Sequence, residues 1–187
     1  LYDVRNRHYR ELIKVKNHIH AKHRKNDFER IYMEHYRYII TGARQAVEVL
    51  SEQENAKQTY SFCHGDFNQH NVVFDGKRWH ILNFESLILS NPMGDLANFV
   101  RKMLEKNNWD NELGETLIKT YDRERNICPE EYKTLYGLFL FPEKFWKVTN
   151  HYMNSRKSWI SERDIEKLRK VIEQEESRIH FVEQLNN

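Results

Sequence analysis

The residues with the clearest chemical potential lie in one short run, Cys63-His64-Gly65-Asp66-Phe67-Asn68-Gln69-His70-Asn71. Asn71 follows Asp66 by five positions and His64 precedes it by two, which is the H-x-D-x-x-x-x-N spacing of a phosphoryl-transfer catalytic loop. The residue types suit that chemistry. A carboxylate at Asp66 accepts the proton of an attacking hydroxyl, and the carboxamide oxygen of Asn71 offers itself to Mg²⁺ from the far end of the loop. Gly65 fits a crowded turn that needs positive φ. Further on, Asn83-Phe84-Glu85 stands where a metal-binding D-F-G or D-F-D is expected. The candidate catalytic base is therefore Asp66, and the candidate metal ligands are Asn71, Asn83 and Glu85. The competing reading is a surface turn of ordinary polar residues. An apolar run before the motif, a hairpin after it, the N-F-E, and Asp95-Leu96-Ala97 beyond that weigh together against it.

These residues need elements to hold them. Val72-Val73-Phe74 and the run from Arg78 to Leu82, joined at Asp75-Gly76, predict a β-hairpin directly behind the loop. Residues 1–25 are helical in pattern, with Leu12, Ile13 and Ile19 as the apolar side. A cleaner helix is predicted over 27–51, where Phe28, Ile31, Tyr32, Tyr36, Ile39, Ile40, Ala43, Val47 and Leu50 form one stripe at spacings of three and four. Asp27 fits its N-cap, with Arg30 in the partner position in place of Glu. Glu52 to Thr59 reads as a polar linker, and Leu87 to Met93 as a connection carrying Pro92. Gly94-Asp95 opens a helix to about Lys106, and helical patterns follow at 110–125, 130–141, 142–155 and 161–185. Pro129 suits a first helical turn, and Ser161 with Asp164 fits a capping pattern. In the last helix Ile165, Leu168, Ile172, Ile179 and Val182 mark the buried side. Phe139, Phe141, Phe145, Trp146, Tyr152 and Trp159 read as core rather than a ligand-stacking wall. Lys144, Lys147, Arg156 and Lys157 among them suit either an anionic partner or solvated helix ends.

His64-Gly65-Asp66 through Asn71, Asn83-Phe84-Glu85 and Gly94-Asp95-Leu96-Ala97 resemble the aminoglycoside and choline phosphotransferase-type kinases. More narrowly, Phe99-Val100-Arg101-Lys102-Met103, Asn108-Trp109-Asp110, the run from Pro142 to Lys147 and that from Asn154 to Ile160 resemble the CotS-type spore coat proteins. The resemblance covers most of the chain. It implies an α+β, mostly α-helical fold, the C-terminal lobe of a protein kinase-like (aminoglycoside phosphotransferase-type) fold whose small β-hairpin bears the catalytic-type loop. It implies that Asp95 braces that loop rather than reacting. It also implies a coat protein made in the mother-cell cytoplasm and deposited in the spore coat among other coat proteins. If the chain is active, it implies ATP and Mg²⁺ as cofactors and a small-molecule hydroxyl acceptor.

Two departures from a working kinase stand out. Nothing here resembles a nucleotide-gripping lobe: there is no glycine-rich loop, no strand Lys and no helical Glu to pair with it, and the six glycines are scattered. The chain begins at Leu1 rather than Met, so it is expected to be part of a longer one, with 1–55 as leading helices, 60–86 as loop and hairpin, and 87–187 as helical body of a single lobe. Second, Asn83 is neutral where a charged oxygen suits Mg²⁺, and Glu85 substitutes only if the segment is extended, which puts i and i+2 on one side. The two leading hypotheses are thus a coat protein with a degenerate active site and an active phosphotransferase.

Composition bounds the rest. A length of 187 residues suits one domain or one lobe. Thirty basic and 28 acidic residues leave +2, so global charge argues for neither nucleic acid nor membrane. Eight Lys or Arg between Val4 and Lys25 against Glu11 alone raise a nucleic-acid or anion surface, but without aromatic interleaving a solvated helix face accounts for them better. His18, His20 and His23 miss the i, i+4 spacing that sets two imidazoles on one helical face. Cys63 and Cys128 make no disulfide framework, which points to a reducing compartment. No run approaches the ~20 apolar residues of a membrane span.

Overall fold

The chain is built around one long helix, α2 (Asp27–Glu54), whose Phe28, Tyr32, Ile39, Ala43, Ala46 and Leu50 are buried. At 1.5 Å per residue it runs about 40 Å, long enough to carry most of the other helices. The computed structural model describes residues 1–54, 59–155 and 162–185. The start of α2 corrects the sequence expectation. Asn26, not Asp27, caps it: Asn26 Oδ1 accepts from the Glu29 amide (2.9 Å), and Glu29 Oε2 accepts from the Asn26 amide (3.1 Å). This is a complete capping box, which needs an acceptor at the third helical position; Arg30 has none to give. The helix also absorbs residues 52–54 of the expected linker, and 55–58 lie outside the described residues.

Against α2 lie α1 (Tyr2–His20) and α5 (Pro129–Leu140), and α5 in turn meets α3 (Met93–Lys106) and α8 (Glu175–Leu185). α4 (Asn111–Glu124) packs on α3, while α6 (Glu143–Asn154) and α7 (Glu162–Glu173) pack on each other and on α1 and α2 respectively. α5 begins with Pro129 as predicted and buries Leu135, Leu138, Phe139 and Leu140. α1 stops at His20, short of the expected 25, and buries Leu12, Val15 and Ile19, with Ile13 only half-buried. Tyr32 fastens α2 to α1 by donating its hydroxyl to the Leu12 carbonyl at 2.9 Å. Part of the basic face of the leading helix turns inward. Arg5 meets Glu143 at 3.4 Å, and just past the helix Lys22 meets the buried Glu29 at 2.5 Å.

The aromatic cluster is core. Phe139, Phe141 and Phe145 are fully buried. Trp146 stacks on His8 with centroids 3.3 Å apart and donates its indole N–H to Glu11 at 2.7 Å. Tyr152 stacks on Phe28 at 4.0 Å, and its hydroxyl donates to Glu29 at 3.1 Å. Trp159, Arg156, Lys157 and the expected Ser161 cap lie outside the described residues. The single helix expected over 161–185 is two, interrupted at Gln174. No Pro or Gly marks the break. Gln174 instead donates its side chain to the Asn108 carboxamide at 2.9 Å, and Arg178 turns onto α5. Leu168 and Val182 are buried, while Ile165, Ile172 and Ile179 pack partly buried against the core.

Four short strands form two antiparallel pairs. β2 (Val72–Phe74) pairs β3 (Trp79–Ile81) in the expected hairpin, with Val72 opposite Ile81. β1 (Ser61–Cys63) pairs β4 (Ile88–Ser90), so the stretch expected as a plain connection contains a strand. Cys63 is buried, yet Phe62 is 79% exposed and Trp79 71%. Phe74, Phe84, Ile88 and Leu89 are also more than half exposed. An apolar surface of that extent is unusual on an isolated domain.

Under α1, Glu143 is buried and faces Arg5 (3.4 Å), His8 (3.7 Å) and Lys147 (3.5 Å). Burial by itself would raise its pKa, but His8, Arg5, Lys147 and Arg101 together hold it at about 2, against an ordinary value of 4.5. A carboxyl whose folded pKa is depressed stabilises the fold above its unfolded pKa, and that contribution is lost as pH falls through the folded value. Urea unfolding between pH 4.5 and pH 2 is thus expected to lose roughly 3 kcal/mol through this group. Glu143→Gln should flatten that part of the pH profile; an unchanged slope would refute the assignment.

Candidate functional site

The motif folds into a loop wedged between the two strand pairs. Asp95, in the first turn of α3, accepts from the amides of His64 (2.5 Å) and Gly65 (3.0 Å), which supplies the bracing that the resemblance assigned to it. Gly65 has φ +80°, and a Cβ there would lie 2.1 Å from the Ser86 carbonyl oxygen. Only glycine lets the loop pass the short 3₁₀ turn Phe84–Ser86 at this distance. His64 Nδ1 accepts from the Asp66 amide (3.3 Å), so Nε2 carries the hydrogen and donates to the Leu82 carbonyl at 2.8 Å. The imidazole thereby ties the loop to the hairpin and is spent on structure.

The same loop fixes the candidate residues. The Asp66 carbonyl accepts from the side-chain amides of Asn68 (2.8 Å) and Asn71 (2.9 Å). Asn68 in turn caps the turn Gln69–Asn71 through the His70 amide at 2.9 Å. With the backbone so held, the Asp66 carboxylate points outward, its side chain 56% exposed, with Lys102 Nζ and Asn98 Nδ2 each 3.4 Å away. Slight burial pushes its pKa up, but the Lys102 ammonium and the amide donors outweigh that and hold it below the usual carboxylate range. Asp66 is thus ionised at neutral pH and able to accept a proton.

Two of the candidate metal ligands, Asn71 and Asn83, are bonded to each other. Asn71 Nδ2 is committed to the Asp66 carbonyl, which leaves Asn71 Oδ1 facing Asn83, and Asn83 Nδ2 donates to it at 2.8 Å. That orientation follows from the bonding and not from the shape of the amides. Asn83 adopts a left-handed conformation, φ 64° and ψ 62°, which Asn tolerates better than most residues. Glu85 lies in the turn Phe84–Ser86 and is exposed. The segment is not extended, so the i, i+2 argument that placed Glu85 beside position 83 does not apply. No group of three or more His, Cys, Asp or Glu is placed to share a metal among the described residues. As the loop stands, the Asn71 carboxamide oxygen is taken by the neutral N–H of Asn83.

Sequence reasoning missed Asn98 and Lys102. The signal was present. Asp95, Asn98 and Lys102 are spaced by three and four in a predicted helix, so a helix that aims Asp95 at the loop aims all three there. Asn98 also donates to the Phe67 carbonyl at 2.9 Å.

The chain has known relatives in sequence and in fold. Residues 6–185 match the family described as "Spore coat putative kinase YutH". The chain belongs to that family. It is 23% identical over 166 residues to "Spore coat protein S" of Bacillus subtilis (strain 168), covering 84% of this chain and 47% of that protein. Its fold superposes with TM-score 0.87 on the crystal structure of an aminoglycoside phosphotransferase from Alicyclobacillus acidocaldarius, at 20% identity, over 99% of this chain and 57% of that one. This YutH-family chain therefore has the kinase-like α+β fold that the motifs implied, and it spans about half the length of the curated relative it matches. No helix is long and apolar enough to cross a membrane among the described residues.

Proposed function

We propose that this chain is the C-terminal lobe of a CotS-like spore coat protein whose kinase-like site has lost its metal position, and which acts in the coat through its surfaces and partner proteins. The carrying observation is the hydrogen bond from Asn83 Nδ2 to Asn71 Oδ1 at 2.8 Å. In a working site two acceptor oxygens would face each other there and a cation would lie between them. Here an amide N–H fills that role, so the loop stays folded without the ion. The exposed apolar side chains on the two strand pairs, Phe62 and Trp79 foremost, fit a surface that a nucleotide lobe covers in the longer protein.

The expected result with the full-length protein is that Mg²⁺ gives no gain in ATP affinity by calorimetry. Asn83→Asp supplies the second half of the test on the 187-residue chain. Without metal it sets oxygen against oxygen and costs about 1 kcal/mol, a Tm drop of roughly 2–4 °C, and millimolar Mg²⁺ restores the loss in the variant alone. A second reading, ATP-dependent phosphotransfer to a hydroxyl acceptor, is favoured by the ionised, exposed Asp66 with Lys102 beside it. Mg²⁺-dependent ATP turnover by the unmodified protein, abolished in Asp66→Ala, would establish that reading and overturn the first.

A further inference from the structure

Beside the loop, α3, α6 and α7 enclose a cavity of about 550 Å³ that reaches Gln69 and His70. A larger groove of about 840 Å³ along α8 shares no residue with the loop, so the smaller cavity is the one next to the chemistry. Its wall is strongly basic. α3 contributes Arg101, Lys102 and Lys106, α6 contributes Lys144 and Lys147, and α7 contributes Lys167 and Lys170, against the single carboxylate of Glu105. Glu105 is already shared between Arg101 and Lys144. Acids just outside the cavity pair with some of the rest: Asp66 with Lys102 (3.4 Å), Glu143 with Lys147 (3.5 Å) and Asp164 with Lys167 (3.4 Å). Four carboxylates therefore pair with five of the seven cations, and Lys106 and Lys170 have no ion-pair partner among the described residues.

This crowding differs from an ordinary solvated helix face, where like charges spread apart. Arg101, in the cavity wall, is buried and held by Glu105 and by Asn98 at 2.8 Å. Partial burial and, second to it, the Arg101 charge push the Lys147 pKa down, despite Glu143. A concave wall with fixed like charges is a counter-ion site, because low-dielectric walls focus the field. The volume falls within the several-hundred-Å³ range of small-molecule sites and is too small for a folded domain. Ammonium groups on flexible stems suit phosphate groups as point-charge donors. We infer that this cavity binds a small polyanion bearing two or more phosphate groups, held beside Asp66 through Lys102.

The inference is independent of whether the loop is catalytic, and its test contains no metal and no ATP. Calorimetry with tripolyphosphate on this chain should give saturable binding that weakens as salt is raised from about 50 to about 200 mM. Lys106→Gln with Lys170→Gln removes two exposed cations without orphaning a carboxylate, so the fold should hold, as a thermal melt will show. That double variant should bind at least about tenfold more weakly, whereas Lys14→Gln with Lys16→Gln, on the basic face of α1, leaves affinity unchanged. No binding at low salt, or equal loss in both double variants, overturns the inference. Tighter binding of polyaspartate than of tripolyphosphate, per unit charge, overturns the small-ligand assignment in favour of an acidic polypeptide. Equal binding of citrate overturns the phosphate assignment.

Discussion

Arg178→Ala is expected to lower the unfolding free energy by roughly 3–5 kcal/mol. Arg178 is buried, and every donor group of its guanidinium has a use. Nε and Nη2 hold both oxygens of Glu175 at 2.8 and 2.5 Å, and Nη1 donates to the carbonyls of Phe139 (2.6 Å) and Leu140 (3.0 Å). Those carbonyls end α5, where helical backbone has no amides left to pair them and Pro142 follows. Truncation leaves a buried carboxylate and two helix-end carbonyls without partners, and uncouples α8 from α5. Removing both charges should cost less, because an orphaned buried charge is worse than an absent pair. The prediction is thus a loss in Arg178→Ala that is partly recovered in Glu175→Leu with Arg178→Met, read by urea unfolding. A loss below about 1 kcal/mol would place the pair among weakly coupled surface ions instead.

The second large effect belongs to Asp95. Its carboxylate accepts two backbone amides, from His64 and Gly65, and hydrogen bonds to a charged acceptor are worth about 1.5–3 kcal/mol each. Asp95→Ala should therefore cost roughly 3 kcal/mol. The loss should be concentrated in the loop, because α3 itself is anchored by the buried Leu96, Ala97, Val100 and Leu104. Hydrogen exchange distinguishes this from general unfolding. The amides of His64 and Gly65 should lose protection in the variant while those in the middle of α2 keep theirs, since local opening and global unfolding have separate free energies. Equal loss of protection in both places would contradict a bracing role. Asp95→Asn retains only one acceptor and should fall between the variant and the wild type.

Much of the architecture is legible in the sequence because it rests on local periodicity. The stripe from Phe28 to Leu50 determines α2, Asp75-Gly76 between two β-like runs determines the hairpin, and Pro129 marks the start of α5. The errors have a common physical origin, since each involves a partner distant along the chain or a choice between near-equivalent local solutions. Ile88–Ser90 is a strand because Ser61–Cys63 lies beside it, and three residues carry too little periodicity to announce a pairing. The break at Gln174 comes from its reach to Asn108 and from Arg178 turning onto α5, contacts that no local breaker signals. The cap of α2 shifts by one residue because Asn26 and Asp27 are both good caps, and Glu29 decides between them by pairing with Asn26.

For the site, the sequence by itself determined which residues form the loop, that Gly65 must turn it, and that position 83 is Asn where a metal-binding Asp is expected. Those facts depend on residue type and spacing within about 20 positions, where chain geometry leaves few alternatives. Tertiary structure alone decided where the Asn83 side chain lies. The Asn83 amide closes on Asn71 from a left-handed turn, and Glu85 follows in a 3₁₀ turn rather than an extended segment. It also decided the charge beside Asp66. Lys144 and Lys147 suit either an anionic partner or solvated helix ends in the sequence, and Arg101, Lys102 and Lys106 on one side and Lys167 and Lys170 on the other lie tens of positions from them. Only the packing of α3, α6 and α7 around one cavity brings them together, because charge is additive in space and the sequence gives no distance between helices.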